Sequence, residues 1–236
     1  MTLRLGYCCI NMGLRKQGIT TNRNMIKRTW LAKGLPYASE LALANCRDLR
    51  TIIGWNADND IQLFRMTSDL FPWASEYYLN ELPDYDKIVG LLQDAGEFAL
   101  MSNQRLSFHP GPFNVLASPR QEVVDKAIHD LTHHGKVFDL MKQPRSPQAK
   151  INIHVGGAYG DRASALERFC QAVLRLPHCA RSRLVVENDD RGSLYSVKDL
   201  YEGVYKRVGI PIVFDYHHHQ FRTGGMSEEE ALRLAA

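Results

Sequence analysis

The chain lacks most of the features that indicate a secreted or membrane protein. It has five cysteines, an odd number, and no two of them form a Cys-x-x-Cys pair. A disulfide framework and a zinc ribbon are therefore both disfavoured. No apolar run approaches the roughly 20 residues of a membrane helix, and residues 1–11 lack the pattern of a secretory signal. We therefore expect a cytoplasmic protein that has no membrane partner.

The chain also lacks a strong charge of one sign and a low-complexity linker. Its 29 basic and 26 acidic residues leave a formal net charge of +3, which does not by itself indicate a nucleic-acid partner. A length of 236 residues is enough for one large α/β domain. We expect a single domain over residues 1–236.

What the sequence does contain is six short apolar runs, each followed by a helix-like stretch. Strands that alternate with helices predict a parallel sheet. Six βα units are two fewer than in the common eight-stranded barrel, and an open sheet of such hydrophobic strands would expose two edges. We expect an open doubly wound sheet or, given the abrupt ending, a TIM-type barrel without its last two strands. The runs are LRLGY (3–7), IQLFRMTSD (61–69), RLSFHPG (105–111), INIHVGG (151–157), RLVVEND (183–189) and IVFDYHHH (212–219).

Four successive runs end in residues that bind divalent metals, namely His109, His154, Glu187 and Asp215. The carboxyl ends of parallel strands meet at one edge of a sheet, so these side chains are expected to lie together. A histidine in such a place is more often a packed residue, but a carboxylate after three apolar residues is costly to bury unless it is paired or metal-bound. Mixed imidazole and carboxylate donors suit Zn²⁺ or Mn²⁺.

The histidine triplet at the end of the sixth run offers two alternative candidates for a metal ligand, His217 and His218. Strict strand alternation would place His217 on the same face as Asp215. A bend after the strand would present His218 instead, and periodicity does not decide between them.

Residues in the loops after the runs could contact a substrate. The loop over residues 11–23 carries Arg15, Lys16 and Arg23 and can hold phosphates, although a solvated basic loop explains the same pattern. Aromatic residues such as Phe113 and Tyr159 could stack on nucleic-acid bases, although such residues often only cover the top of a barrel.

Several segments together resemble the UV damage endonuclease family. The resemblance rests on SFHPGPFNVLASP (107–119), INIHVGGAYGDRA (151–163), VVENDD (185–190) and FDYHHH (214–219). The segments LGYCCIN (5–11), TTNR (20–23) and FRMTSDLFPWAS (64–75) match in the same order and spacing. Because these motifs cover nearly the whole chain, an accidental match is improbable.

The resemblance implies a βα barrel of the kind found in endonuclease IV, with six of its eight βα units present. It implies a monomeric repair enzyme that incises double-stranded DNA 5′ to UV photoproducts, and often at abasic sites, through water activated by two or three divalent ions. Mn²⁺ is the expected metal, with Zn²⁺ or Mg²⁺ as alternatives. The implied ligands are His109, His154, Glu187, Asp215 and His218, of which Glu187, His109 and Asp215 would be catalytic. The implied DNA or lesion contacts are Tyr7, Asn11, Arg23, Pro112, Phe113, Asn114 and Tyr159.

Three departures from the family pattern bear on this reading. Asp69 stands where some members have a histidine ligand. The family glutamine that probes the gap in the duplex is replaced by Pro112, which has no amide, so lesion sensing would rely more on Phe113. The last two strands of the family, with a modified lysine and further ligands, have no counterpart before Ala236. A fragment that binds metal or DNA without cleavage, and a metal-dependent sugar isomerase or epimerase, are therefore alternatives.

Overall fold

A computed structural model of the protein describes residues 4–236, so Leu3 of the first predicted strand lies outside the described residues. The chain forms two compact units. Residues 4–109 and 133–149 make up the first unit, and residues 110–132 and 150–236 make up the second. The prediction of a single domain over residues 1–236 stays a prediction.

The first unit contains three parallel strands in chain order. They are β1 (Gly6–Cys8), β2 (Leu63–Met66) and β3 (Arg105–Phe108). A Cβ atom on Gly6 would lie 2.3 Å from the carbonyl oxygen of Leu63, so glycine is needed where β1 approaches β2. Phe64 and Phe108 are fully buried, as expected for strands that are covered on both faces.

Three helices belong wholly to the first unit: α1 (Met12–Arg15), α2 (Lys27–Asp58) and α3 (Tyr85–Met101). Helix α2 provides one of the helix-like stretches that the sequence predicts between the apolar runs. The helix is interrupted at Gly34, whose φ of 59° and ψ of −152° are not helical, and Pro36 lies two residues later. Proline removes a backbone donor and clashes with the preceding turn, which explains the kink.

Helix α4 (Gln121–Leu140) follows, and its residues are divided between the two units at residue 132. The second unit then repeats the strand–helix alternation with β4 (Ile151–Ile153), α5 (Arg162–Arg175), α6 (His178–Arg181) and β5 (Leu184–Glu187). After these come α7 (Val197–Leu200), a π-helical turn at Tyr201–Tyr205, α8 (Lys206–Val208), β6 (Ile212–Val213), α9 (Tyr216–Phe221) and α10 (Glu228–Ala235). Helical segments thus follow β4, β5 and β6, as the helix-like stretches after the apolar runs predict.

The three strands of the second unit are also parallel and in register. Ile153 pairs with Val186, and Glu187 pairs with Val213. Every residue of β4 and β5 is buried. The register brings the carboxyl ends of β4, β5 and β6 to one level, which is where the sequence predicts the chemistry. Within residues 4–236, no helix has both the length and the hydrophobicity that crossing a bilayer requires.

Two glycines of α3 offer a test of packing in the first unit. A Cβ atom on Gly96 would lie 1.9 Å from the carbonyl oxygen of Met141, whereas a Cβ atom on Gly90 would meet nothing within 4 Å. We expect Gly96→Ala to lower the free energy of unfolding by about 2 kcal/mol or more, because backbone must move to admit the methyl group. Gly90→Ala should raise it by about 0.5–1 kcal/mol, since alanine favours the helix. Urea denaturation measures both, and equal effects would contradict the packing.

Candidate metal centre

The carboxyl ends of β4, β5 and β6 carry acidic and imidazole side chains. His154 follows β4 directly, Glu187 is the last residue of β5, and Asp215 lies two residues after β6. Asp215 also precedes α9 and caps it, because its Oδ1 accepts a hydrogen bond from the backbone N–H of His218 at 2.9 Å. The sequence therefore places ligand-type side chains where buried strands end and a helix begins.

Glu187, Asp215 and His218 each offer a ligand atom, and these atoms lie within 4.8 Å of one another. Glu187 is buried, with 5% of its surface exposed, while Asp215 and His218 are half-buried. Two carboxylates this close repel each other, and burial increases the cost of that repulsion unless a cation compensates it. A divalent cation bound by these side chains would therefore stabilise the arrangement.

The structure selects His218 from the histidine triplet. The chain turns into α9 directly after Asp215, so strand alternation no longer applies and His217 is exposed. Nδ1 of His218 lies 2.8 Å from the carbonyl oxygen of Asn188. A carbonyl oxygen only accepts, so Nδ1 carries the proton of the neutral ring and Nε2 keeps a lone pair for a metal. The same Nδ1 lies 3.3 Å from Oε1 of Glu187.

Asn188 also fixes the backbone of Asp215. Its Oδ1 accepts from the backbone N–H of Asp215 at 2.8 Å, and its Nδ2 donates to the carbonyl oxygen of Asp215 at 3.0 Å. Asn188 is fully buried. One amide side chain thus holds the strand end that carries Asp215, while the Asn188 backbone holds His218.

The Glu187 carboxylate has neighbours from β4 at both oxygens. Asn152, buried in the middle of β4, donates from Nδ2 to Oε2 of Glu187. Nε2 of His154 lies 3.9 Å from Oε1 of Glu187. Because Asn152 occupies Oε2, it orients the other carboxylate oxygen toward the imidazoles.

His154 has a buried carboxylate partner on its other ring nitrogen. Nδ1 of His154 lies 3.3 Å from Oδ1 of Asp189, which is 5% exposed. Burial by itself lowers the pKa of His154, but the hydrogen bond and charge of Asp189, together with the charge of Glu187, outweigh burial and raise that pKa. A carboxylate that orients a histidine in this way is the usual support behind a metal-binding imidazole.

Asn152, Asn188 and Asp189 were not predicted from the sequence as site residues. A signal for two of them is present, because Asn152 interrupts the apolar run INI and Asp189 is a second acid two residues after Glu187. Nothing in the sequence indicates that the amide of Asn188 reaches Asp215, which is 27 residues away along the chain.

The predicted residues of the first unit have partners within that unit. Tyr7 donates from its hydroxyl to Oδ1 of Asn56 at 2.7 Å and accepts from Nδ2 of Asn11 at 3.1 Å. Burial raises the pKa of Tyr7, against the effect of these hydrogen bonds. Asn11 is buried and caps α1, with its Oδ1 accepting from Leu14.

Three further predicted residues of the first unit lie near its surface. Arg23 folds back on its own loop, where it donates to the carbonyl oxygen of Gly18 at 2.9 Å and pairs with Asp48 at 2.7 Å. Asp69 is exposed after β2 and accepts from Asn24 at 3.3 Å. His109 is half-buried directly after β3.

The predicted DNA contacts of the second unit are mostly exposed. Pro112 is exposed, Phe113 is 88% exposed and Tyr159 is 49% exposed. Asn114 donates from Nδ2 to the carbonyl oxygen of Gly111 at 3.2 Å, which closes the turn that presents Phe113. Two aromatic rings are therefore available at the surface of this unit.

Residues 3–234 match the sequence profile of the family described as UV-endonuclease UvdE. The chain belongs to this family. The family resemblance predicted from the motifs is thereby confirmed over nearly the whole sequence.

Individual members of the family have similar sequences and a similar fold. The chain is 41% identical over 189 residues to the UV-damage endonuclease of Neurospora crassa, a match that covers 79% of this chain and 28% of the relative. It is 35% identical over 229 residues to the UV-damage endonuclease of Schizosaccharomyces pombe, covering 95% and 37%. The chain thus spans about a third of the length of these two fungal relatives.

The solved structures establish the fold class. The crystal structure of SacUVDE matches with a TM-score of 0.86 and 33% identity, over 99% of this chain and 76% of that one. A D-psicose 3-epimerase from Clostridium cellulolyticum H10 matches with a TM-score of 0.57 and 16% identity, over 80% and 64%. The latter likeness concerns the fold alone. The predicted α/β fold of the TIM-barrel type is confirmed.

Asp215 caps α9 and is also a candidate metal ligand, and the two roles can be separated by substitution. Asn caps helices as well as Asp does but carries no charge. We therefore expect Asp215→Asn to keep the thermal stability measured in chelator and to weaken Mn²⁺ binding at least about 10-fold, the scale of losses at metal sites. Asp215→Ala should weaken binding similarly and also lose about 1 kcal/mol of stability. Calorimetric titration with Mn²⁺ that finds unchanged affinity in both variants would contradict the role of Asp215 as a ligand.

Proposed function

We propose that this protein is a metal-dependent endonuclease that cuts UV-damaged DNA, with Glu187 at the centre of its active site. The carrying observation is the close set of Glu187, Asp215 and His218 in a member of the UV-endonuclease family. The names of the fungal relatives, UV-damage endonucleases, support damaged DNA as the substrate.

The donor chemistry fits the metals that the family resemblance implies. Two carboxylates and an imidazole suit Mn²⁺ and Zn²⁺, and carboxylates also suit Mg²⁺. We propose two or three ions, with Mn²⁺ foremost, held by Glu187, Asp215 and His218 and by the further ligands His154, His109 and Asp69. Bound there, the ions would activate a water molecule near neutral pH and stabilise the charge that develops on a phosphodiester.

The protein groups would prepare the donors before the ions arrive. Asn152 holds one oxygen of Glu187, Asp189 holds the His154 ring, and Asn188 holds the ring of His218 and the backbone of Asp215. Donors fixed by hydrogen bonds lose less freedom when a metal ion binds. Glu187 is the group best placed to bridge two ions, because its Oε1 lies near the rings of both His154, at 3.9 Å, and His218, at 3.3 Å.

The proposed reaction is incision 5′ to UV photoproducts, with abasic sites as a second class of lesion. Damaged bases stack poorly, so bending or flipping them out of the duplex costs less than for intact DNA. The exposed rings of Phe113 and Tyr159 would stack on the bases of the distorted strand. Contacts of Tyr7, Asn11, Arg23, Pro112 and Asn114 with DNA, and action as a monomer, belong to the same proposal.

The salt dependence of binding separates this proposal from a sugar isomerase or epimerase. Binding to DNA weakens steeply as salt rises, because counterions are released from the phosphates, whereas a neutral sugar shows no such dependence. Binding to damaged DNA without cleavage would instead indicate that this chain keeps only the recognition function.

The main test is nicking of UV-irradiated supercoiled plasmid in Mn²⁺. We expect Glu187→Gln to lower the nicking rate at least about 100-fold, since the amide keeps the shape of the side chain but removes the charge that binds the ions. Glu202→Gln is the matched control, because Glu202 is an exposed acid of the same unit that pairs with Lys206. Full activity of the Glu187 variant, with folding verified by circular dichroism, would refute the central role of Glu187.

A second test concerns lesion sensing by the turn at Pro112. Pro112 has no amide, so Pro112→Gln should add a hydrogen bond to an orphaned base and raise the ratio of affinities for damaged and intact duplex about 2- to 10-fold. Fluorescence anisotropy with matched duplexes measures this ratio, with the exposed Pro119→Gln as the control. An unchanged ratio would mean that the gap in the duplex is sensed elsewhere.

A further inference from the structure

The second unit contains a polar pocket of about 430 Å³ outside the candidate metal centre. Residues at the start of α7 form one wall, and the segment that follows α9 forms the other. The residues that matter for its chemistry are Lys198, Asp199, Phe221, Arg222, Thr223 and Gly224. We call this the α7–α9 pocket.

The charge of the α7–α9 pocket is positive on balance. Its one acid is Asp199, whose Oδ2 pairs with Arg162 at 2.7 Å and with Arg222 at 3.3 Å, so two guanidinium groups share one carboxylate. Oδ2 of Asp199 also accepts from the backbone of Ser196 at 2.8 Å. Asp199 is therefore already compensated, and its charge does not repel an anion that enters.

Two cationic donors of the pocket have unused capacity. Nε of Arg222 is buried and has no hydrogen-bond partner within residues 4–236. Lys198 is exposed, and the described part of the chain provides no ion pair for it. A buried donor without an acceptor is costly, and Lys198 adds a positive charge to the lining of the same pocket, so the pocket suits an anion.

The backbone of the pocket is preformed. Gly224 has a φ of 63°, and a Cβ atom on it would lie 2.3 Å from Oγ of Ser196, so only glycine fits against the start of α7. The next residue, Gly225, donates from its backbone to Oγ1 of Thr223 at 3.1 Å. The segment is therefore held in place by contacts of its own, and no ordering of the chain is needed for a ligand to bind.

The α7–α9 pocket is connected to the candidate metal centre by a single short helix. Helix α9 begins after Asp215, includes His218 and ends at Phe221, and the backbone N–H of Arg222 donates to the carbonyl oxygen of His218 at 3.0 Å. Six helical residues span about 9 Å. Neighbouring phosphates of one DNA strand lie roughly 7 Å apart, because each step of about 3.4 Å along the axis also rotates about it, so that length corresponds to about one or two phosphates.

We propose that the α7–α9 pocket binds a backbone phosphate of the cut DNA strand, one or two positions from the phosphodiester at the metal centre. Lys198 and Arg222 would bind the phosphate oxygens, and Phe221, which is 62% exposed, would pack against the adjoining sugar or base. This assignment rests on the proposed function for its substrate. It adds a positioning contact that sets which bond lies at the metal centre.

The test is a comparison of Lys198→Gln with Lys206→Gln. Lys206 is an exposed lysine of the same unit that pairs with Glu202 and does not line the pocket. We expect Lys198→Gln to weaken binding of a UV-damaged duplex about 3- to 10-fold at 0.1 M salt or so, and to lower the slope of log affinity against log salt by about one. Lys206→Gln should change neither quantity.

A neutral methylphosphonate placed at single positions of the duplex locates the contact. In the unmodified protein, neutralising the first or second phosphate from the cut site should lower affinity, and in Lys198→Gln the same substitution should cost little more. Such non-additivity identifies the pair in contact. Equal losses in both proteins at every position would overturn the assignment, even where the unmodified protein nicks DNA normally.

A readout that does not depend on DNA keeps this inference separate from the proposed function. Titration of the protein with inorganic phosphate should shift the Arg222 Nε–H resonance in the ¹⁵N–¹H spectrum, and the half-saturating phosphate concentration should rise about 3-fold or more in Lys198→Gln. A shift without nicking would refute the nuclease proposal and keep the anion pocket. No shift, together with an unchanged salt slope, would refute the pocket.

Discussion

The candidate site depends on one costly feature, the carboxylate of Glu187 buried at the end of β5. A buried charge destabilises the fold unless neighbours compensate it. Here Asn152 donates to one carboxylate oxygen, and the rings of His154 and His218 lie near the other. This compensation requires the carboxyl ends of β4 and β5 and the first residues of α9 to lie at one level. The register of the parallel strands and the chemistry of the site therefore constrain each other.

Amide side chains do much of the positioning around this carboxylate. Asn188 holds the backbone of Asp215 through both ends of its amide, and its own carbonyl oxygen determines which ring nitrogen of His218 carries the proton. Asp189 has the corresponding role for His154. His218 and Asp215 are thus held by the uncharged groups of Asn188, and His154 is held by Asp189 through the ring nitrogen other than the one nearest Glu187. Hydrogen bonds of this kind can hold a site rigid before a metal binds.

The predicted DNA-contact residues differ in how many contacts they already make inside the protein. Tyr7 and Asn11 form a hydrogen-bonded network with Asn56 and a helix cap, so their first duty is to hold the first unit together. Arg23 is engaged by its own loop and by Asp48. Phe113 and Tyr159, in contrast, expose large ring surfaces. A family motif indicates that a residue is required. The contacts of that residue in the structure show its role in the protein without DNA.

By itself, the sequence determined the alternation of strands and helices, the strand ends at His154, Glu187 and Asp215, and the family. These properties depend on local hydrophobic periodicity and on motifs, and both can be recognised from the order of residues alone. The family resemblance implied His218 where periodicity left His217 open, and the bend into α9 gives the physical reason. Only the tertiary structure revealed Asn152, Asn188 and Asp189 and brought Lys198 and Arg222 to one pocket. Those outcomes depend on the bend into α9 and on hydrogen bonds between residues up to 35 positions apart, such as Asn152 and Glu187. No local pattern records which side-chain atoms meet across such separations, because the backbone path between them sets the distance.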